Sequence, residues 1–444
     1  MQLPQQLLNS LLQHHKINVE EFIEAHKAEN KITSVRINPF KPTELLFNLT
    51  TKIKWCNTGY YLNERPNFTY DPLFHAGCYY VQEAGSMFID YILNQINFPK
   101  NNVKVLDACA SPGGKSTLLN SYLSEDSLLV ANEIIKSRAD TLCYNLSKWG
   151  TKNCVVTNND TNKFKELKNY FDLVLVDAPC SGSGLFRKQA TAINEWSLNA
   201  VNDCSLRQKD ILLNLIDSIK PNGLLIYSTC SYSSEENENI TNWLINENDF
   251  SLVKIKINKE WGIIETDVGY RFYPHLTASE GFYISVLRKN EGVNNSVTKT
   301  KLKENISVNK LEKELLKTIV NIDCPVFKKN TNFYLANENV LDFFERFGKY
   351  FYFKKAGVCI GELKNKDIMP NHELALYSHK NEHVNSIELN FEDSIKFLKK
   401  ENLLIENTSK GLFLATYKNF GIGWCKILPN RVNNYLPSEL RILK

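Results

Sequence analysis

Several signals that would place this chain in a common class of protein are missing from its sequence. No run approaches the roughly 18 consecutive apolar residues that a membrane-spanning helix needs. The N-terminus MQLPQQLLNSLLQHHKIN has neither the basic start nor the apolar core of a secretory signal peptide. The 11 cysteines are odd in number and form no CxxC pair, which argues against a zinc ribbon and a disulfide framework. We therefore expect a cytoplasmic protein without a membrane anchor or a metal site.

The composition is that of a folded protein with a large core. Hydrophobic residues make up 43% of the 444 residues and charged residues 23%. This length favours about two to four domains. The net charge of +4 permits an anionic partner but does not demonstrate one.

The middle of the chain alternates apolar strands with amphipathic helices. The predicted strands are VKVLDACA, SLLVANE, NCVVTNND, FDLVLVDA and GLLIYSTC, and the predicted helices between them are KSTLLNSYL, SRADTLCYNLSKWG, FKELKNY and LRQKDILLNLIDSIK. This alternation predicts an α/β fold with a mostly parallel, doubly wound sheet and right-handed crossovers. The carboxyl ends of such strands line one crevice, so residues far apart in sequence can meet there.

The flanking regions divide into smaller units. Residues 1–78 predict a small α+β segment with two short helices, followed by the strands ITSVRINPF and IKWCNTGYYL. Residues 79–290 contain the alternating pattern. Residues 291–309 are polar and rich in Lys and Asn, which predicts a linker. A small α+β domain over 310–365 and a β-rich domain over 366–444 follow.

The loop DACASPGGKST follows the first strand of the alternating pattern. Gly113 and Gly114 open the next helix, and paired glycines let the backbone approach a ligand at a helix N-terminus. The loop matches neither the dinucleotide fingerprint G-x-G-x-x-G nor the P-loop, so it fits a nucleoside ligand without a phosphate chain better. A glycine turn that serves packing alone is the alternative.

Acidic residues follow three of the predicted strands, namely Glu133, Asp160 and Asp177. Glu133 lies 20 residues after Gly113, the spacing at which an acid binds ribose hydroxyls in such folds. Any one acid at a strand end is more often a helix cap or a turn former. Together with the glycine loop, the three acids predict S-adenosylmethionine as the cofactor.

Two cysteines stand at strand ends 50 residues apart, Cys180 in DAPCSGSG and Cys230 in YSTCSY. A thiol beside a methyl donor predicts covalent catalysis on a pyrimidine, because carbon 5 of cytosine is a poor nucleophile until a thiolate adds to carbon 6. Asp177 could hydrogen-bond the ring nitrogen or the exocyclic amine. A buried structural thiol is the simpler interpretation of either cysteine alone. These patterns do not rank the two thiols.

The motifs VLDACASPGGKST, LVDAPCSGSG, YSTCSYSSEENE and RFYPHLTASEGFY together resemble the NOL1/NOP2/Sun family of RNA cytosine-C5 methyltransferases. The resemblance spans roughly residues 79–287 and implies a Rossmann-like class I methyltransferase. It implies that Cys230 is the nucleophile and that Cys180 releases the methylated product. The implied S-adenosylmethionine site comprises Cys109, Ala110, Ser111, Pro112, Gly113, Gly114, Lys115, Glu133, Asp160 and Asp177. Ser111 departs from the common family loop, which has Ala-Ala-Pro-Gly-Gly-Lys.

The C-terminal stretches GIGWCKI and NRVNNYLPSELRI resemble the bacterial branch of that family that acts on 16S ribosomal RNA and carries a PUA-like RNA-binding domain. The resemblance implies that residues 1–78 and 366–444 select the RNA. Arg431, Tyr435 and Arg441 suit phosphate contacts and base stacking, and a solvated basic face is the alternative.

We therefore predict a monomeric enzyme that methylates carbon 5 of a cytidine in 16S ribosomal RNA. Transfer RNA is the second candidate substrate. An RNA-binding ribosome assembly factor with an inactive methyltransferase domain is the alternative of a different class.

Overall fold

The computed structural model describes residues 3–14, 17–27, 32–189, 191–292, 306–364, 367–379, 384–403, 405 and 409–443. Most of the predicted linker, residues 293–305, lies outside the described residues. Within these ranges, every helix is too short or too polar to cross a membrane.

The N-terminal region contains helices and a small antiparallel sheet. Its elements are α1 (Gln5–His14), α2 (Val19–Lys27), β1 (Thr33–Ile37), β2 (Gly59–Leu62), α3 (Pro72–His75) and β3 (Tyr79–Val81). The strand order is β2-β1-β3. The strand predicted over IKWCNTGYYL begins only at Gly59, because the preceding residues form a turn in which the Cys56 N–H donates to the carbonyl of Ile53.

The central region follows the predicted alternation. Its elements are α4 (Phe88–Gln95), β4 (Lys104–Asp107), α5 (Gly114–Tyr122), β5 (Leu128–Asn132), α6 (Lys136–Trp149), β6 (Cys154–Thr157), β7 (Phe171–Asp177), α7 (Thr191–Glu195), α8 (Leu198–Leu215), β8 (Ile219–Thr229), α9 (Glu238–Glu247), β9 (Phe250–Leu252), β10 (Ile264–Glu265), β11 (Tyr270–Phe272) and β12 (Phe282–Lys289).

The central sheet confirms the predicted fold class. Five parallel strands lie in the order β8-β7-β4-β5-β6, and β12, β11 and β10 continue the sheet beyond β8 in antiparallel pairing. The strand order reverses at β4, which lies between β5 and β7. In doubly wound sheets the crevice at the carboxyl ends beside such a reversal is the usual ligand site.

The prediction of an α-helix over FKELKNY is wrong. A six-residue 3-10 helix, Thr161–Glu166, connects β6 to β7 instead. Phe164 and Leu167 are both buried and lie three residues apart, which matches the three-residue turn of a 3-10 helix. The apolar spacing in this short stretch was misread as α-helical.

The C-terminal region adds two four-stranded sheets and several helices. Its elements are α10 (Lys310–Leu316), β13 (Val326–Lys329), β14 (Asn332–Leu335), α11 (Glu338–Phe347), β15 (Phe353–Ala356), β16 (Val358–Lys364), β17 (Asp367–Pro370), α12 (His372–Ala375), β18 (Ser386–Glu388), α13 (Phe391–Lys399), β19 (Gly411–Tyr417), β20 (Phe420–Leu428) and β21 (Arg431–Asn434). The sheets have the orders β13-β14-β16-β17 and β18-β19-β20-β21. Strand β15 pairs antiparallel with β6 and so extends the central sheet.

Apolar residues cover both faces of the central sheet. Helices α4, α5 and α6 contribute buried side chains on one face, and α8, α9 and α11 on the other. Lys41 also joins the N-terminal, central and C-terminal regions. Its buried ammonium donates to the carbonyls of Ala76, Lys148 and Leu376 at 2.6 to 2.7 Å.

Candidate active site

The predicted glycine loop connects β4 to α5 at the crevice. Gly113 is the N-cap of α5 with a φ of +110°, a conformation that glycine adopts without strain. At the end of β4, Asp107 is fully buried and accepts a hydrogen bond from Ser116 Oγ at 2.6 Å. Its other oxygen, Oδ1, has no hydrogen-bond partner among the described residues. Burial raises the pKa of Asp107 to about 7.

A cavity of about 350 Å³ lies beside this loop. That volume falls at the lower end of the range for small-molecule pockets. Its lining includes Asp107, seven of the predicted cofactor residues (Cys109, Ala110, Ser111, Pro112, Gly114, Lys115 and Asp177) and Cys230. The structure therefore brings the glycine loop, one of the three predicted strand-end acids and one of the two thiols to a single cavity.

Lys115 and Asp177 form an ion pair inside this cavity. Lys115 Nζ lies 2.7 Å from Asp177 Oδ2, and Ser228 Oγ donates to Asp177 Oδ1 at 2.8 Å. Burial alone would lower the pKa of Lys115, but the charges of Asp177 and Asp107 outweigh it and raise that pKa. The lysine therefore remains a cation between the glycine loop and the end of β7.

The two predicted cysteines meet at the ends of β7 and β8. Cys180 Sγ lies 3.1 Å from Cys230 Sγ. The hydrogen bond to Cys230, together with burial, raises the pKa of Cys180 well above its usual range. Cys180 therefore keeps its proton, and either sulfur can donate the hydrogen bond between the two thiols. Cys230 also lines the cavity.

Two of the predicted cofactor acids lie outside the lining of this cavity. Glu133, at the end of β5, accepts from the Ile135 N–H at 2.9 Å and lies 3.4 Å from Arg138. Arg138 also donates to the carbonyl of Ser111 at 3.1 Å, so Glu133 lies one side chain away from the glycine loop. Asp160 caps the 3-10 helix through the Asn162 N–H at 2.8 Å. Their contacts with a cofactor remain predictions.

The predicted RNA-contacting residues lie at the C-terminus. Arg431, on β21, and Arg441 are exposed, whereas Tyr435 is half-buried and its N–H donates to the carbonyl of Trp424. Contact of these residues with RNA remains a prediction.

Sequence reasoning missed Asp107. The residue stands at the end of the first parallel strand, just as Asp177 stands at the end of β7, so the positional signal was present. Its importance appears only from the structure, because neither the unpaired oxygen nor the burial can be read from the motif.

Comparison with known proteins gives matches along most of the chain. Residues 94–288 match the family described as 16S rRNA methyltransferase RsmB/F. Residues 3–84 match the N-terminal domain of 16S rRNA methyltransferase RsmF, and residues 384–442 match the methyltransferase RsmF PUA domain. The ribosomal RNA small subunit methyltransferase F of Vibrio atlanticus is 30% identical, over 92% of this chain and 90% of its own length. The chain belongs to the RsmF family.

Another RsmF relative, from Aliivibrio salmonicida, is 28% identical over 96% of this chain and 94% of its own length. The family matches confirm the methyltransferase and the C-terminal PUA domain that the motifs predicted.

Among solved structures, a methyltransferase homologue from Pyrococcus horikoshii is 26% identical with a TM-score of 0.52, over 65% of this chain and all of its own. NSun6 from the same organism, at 19% identity and a TM-score of 0.54, covers 65% of this chain and 99% of its own and supports the fold alone.

Proposed function

We propose that this RsmF-family chain methylates carbon 5 of a cytidine in 16S ribosomal RNA with S-adenosylmethionine, through a covalent bond between Cys230 and the base. The observation that carries the proposal is that Cys230 lines the same cavity as the glycine loop and that its sulfur lies 3.1 Å from the sulfur of Cys180. A thiol nucleophile is what carbon-5 chemistry on cytosine requires.

The cavity suits S-adenosylmethionine. Asp107 Oδ1 is a buried carboxylate oxygen without a partner among the described residues, and a cationic amino group would satisfy it. We expect Glu133, whose partner Arg138 donates to the carbonyl of Ser111 in the glycine loop, to bind the ribose hydroxyls. The backbone of Gly114 lines the cavity and can approach the ligand closely. When bound, the cofactor supplies an electrophilic methyl group.

The first chemical step that we infer is addition of the Cys230 thiolate to carbon 6 of the cytosine. Formation of the carbon–sulfur bond moves electron density through the ring, which makes carbon 5 nucleophilic. Negative charge also develops at the ring nitrogen. Asp177 accepts a hydrogen bond from the exocyclic amine, and the Lys115 ammonium beside it stabilises the developing charge. Both side chains line the same cavity as Cys230.

Release of the product needs the carbon 6–sulfur bond to break. Once carbon 5 carries the methyl group, loss of its proton to a base restores the double bond between carbons 5 and 6, and the electrons of the carbon 6–sulfur bond return to the Cys230 sulfur. We infer that the Cys180 thiol, whose sulfur lies 3.1 Å from Cys230 Sγ and whose pKa is raised, then donates a hydrogen bond to that departing thiolate. Without this hydrogen bond the thiolate is a poorer leaving group.

The names of the RsmF relatives and the matches at both ends of the chain favour small-subunit ribosomal RNA over transfer RNA. We further infer that the protein works as a monomer in the cytoplasm. In duplex RNA the target base must leave the stack to reach Cys230.

Bisulfite sequencing of 16S ribosomal and transfer RNA tests the substrate. Cells that lack the protein should lose methylation at one or more 16S cytidines, and expression of the wild-type chain, but not Cys230→Ala, should restore it. Loss of methylation in transfer RNA alone, or unchanged methylation, would contradict the proposal.

A further inference from the structure

A buried carboxylate lies behind the two cysteines. Glu236 is fully buried in the 3-10 helix Ser234–Glu236, six residues after Cys230. Its Oε1 accepts from the Ser181 N–H at 2.7 Å and from Gln208 Nε2 at 3.3 Å. Its Oε2 accepts from Ser181 Oγ at 2.6 Å and from Ser231 Oγ at 2.5 Å.

These contacts connect the two cysteine loops. Ser181 directly follows Cys180, and Ser231 directly follows Cys230. One carboxylate therefore holds the residue next to each thiol. Its position fixes how far apart the ends of the two loops lie.

Other contacts anchor this carboxylate cage, which consists of Glu236, Ser181, Ser231 and Gln208. Gln208, on α8, also donates to the carbonyl of Pro179 at 3.0 Å and accepts from Tyr227 of β8 at 2.9 Å. The Gln208 amide is thus fixed with its nitrogen toward Glu236. The cage is attached to one helix and one strand of the central fold.

A second close contact restrains the same loops. The Gly184 N–H donates to the carbonyl of Cys230 at 2.8 Å. A Cβ at position 184 would lie 2.7 Å from that carbonyl oxygen and 2.4 Å from the carbonyl oxygen of Gly281, so only glycine fits. The two cysteine loops are therefore held together by a backbone hydrogen bond as well as by the side-chain hydrogen bonds to Glu236.

The partners of Glu236 are all neutral. Among the described residues, Lys, Arg and His side chains make no hydrogen bond or ion pair with it. Four donors converge on its two oxygens instead. A carboxylate buried among neutral donors serves geometry rather than charge pairing.

We propose that Glu236 is a positioning residue that sets the spacing of Cys180 and Cys230 without touching the substrate. The inference rests on the proposed roles of the two cysteines. The proposal gives a function to Glu236 in the SSEENE part of the motif YSTCSYSSEENE. Neither the cofactor site nor the base site explains that part of the motif.

The hydrogen-bond pattern predicts how conservative and disruptive substitutions differ. In Glu236→Gln the amide oxygen can replace Oε1. This oxygen accepts hydrogen bonds from two N–H groups, which can act only as donors. The amide NH₂ can replace Oε2, because the hydroxyls of Ser181 and Ser231 can rotate and accept its two hydrogens. Glu236→Ala removes all four hydrogen bonds. A role in positioning therefore predicts rescue by Gln, whereas a role that needs the negative charge does not.

The spacing can be measured without RNA. Diamide takes two hydrogens from the two thiols, which leaves a Cys180–Cys230 disulfide and reduces the diamide N=N bond to a hydrazine. Mass spectrometry of the linked peptide gives the rate in the full-length protein. We expect Glu236→Ala to slow crosslinking by about a hundredfold, the cost of roughly 1 Å of misplacement. The crosslinking rate of Glu236→Gln should stay within about tenfold of the wild-type rate, because the substitution weakens about one hydrogen bond.

Glu235→Ala is the matched control, because the neighbouring side chain makes no hydrogen bond or ion pair among the described residues; it should crosslink like wild type. Unchanged crosslinking in Glu236→Ala would overturn the proposal, and so would an equal loss of crosslinking rate in Glu236→Gln.

If Glu236→Ala fails to bind S-adenosylmethionine, the double variant Ser181→Ala/Ser231→Ala is tested in its place. The proposal requires that this double variant also slows crosslinking. Methylation by Cys230→Ala would instead refute the proposed function and leave this measurement unaffected.

Discussion

Asp107 is the residue on which cofactor binding should depend most directly. It is buried at the end of β4, lines the cavity, and has one carboxylate oxygen without a partner among the described residues. Burial raises its pKa to about 7, so protonation of this carboxyl falls within the physiological range. A protonated carboxyl cannot pair with a cationic amino group.

The affinity for S-adenosylmethionine should therefore depend on pH. Below the pKa of Asp107 the acid is neutral, and affinity should fall by about tenfold for each pH unit. Above it, affinity should level off. Isothermal titration calorimetry between about pH 6 and 8 measures this change.

The control is Asp107→Asn, which should bind S-adenosylmethionine weakly and with little change over the same pH range. Equal pH dependence in wild type and Asp107→Asn would show that another group is responsible.

At the scale of the element, the sequence pattern predicted the central sheet because its strands are short apolar runs between amphipathic helices. The same logic placed Cys180 and Cys230 together, since the ends of β7 and β8 lie side by side. The 3-10 helix at Thr161–Glu166 was missed because an apolar spacing of three residues fits both helix types over so short a stretch.

The pairing of β15 with β6 could not be predicted, because it joins segments about 200 residues apart that carry no shared pattern. The ion pair of Lys115 with Asp177 and the cage around Glu236 were missed for a related reason. Each depends on side chains from separate loops, and only the fold determines which of them meet.

At the scale of the whole molecule, the C-terminal region forms part of the core beneath the catalytic sheet. Phe351 is buried and its ring lies 4.9 Å from that of Phe164, in the 3-10 helix that Asp160 caps. Helix α11 adds Phe343 and Phe347, which pack around Tyr170. The catalytic and C-terminal regions should therefore unfold together.

Phe351→Ala tests this coupling. Loss of the ring should lower the free energy of unfolding by about 3 kcal/mol, because it leaves a cavity between the two regions. The temperature at which S-adenosylmethionine binding is lost should fall with the thermal unfolding midpoint. Both are measured by thermal denaturation with and without the cofactor.

The matched control is Tyr350→Ala, since Tyr350 is 46% exposed and its loss should change the free energy of unfolding by less than about 0.5 kcal/mol. Two separate unfolding transitions in Phe351→Ala, with S-adenosylmethionine still bound at temperatures above the first, would show that the two regions unfold independently.

The most direct test of the unequal roles of the two thiols is a denaturing gel of the protein after incubation with 16S ribosomal RNA and S-adenosylmethionine. Cys180→Ala should give a slowly migrating protein–RNA band, because the bond to Cys230 forms but does not break. The double variant Cys180→Ala/Cys230→Ala should give none. A band that persists without Cys230, or normal turnover without a band in Cys180→Ala, would contradict the account.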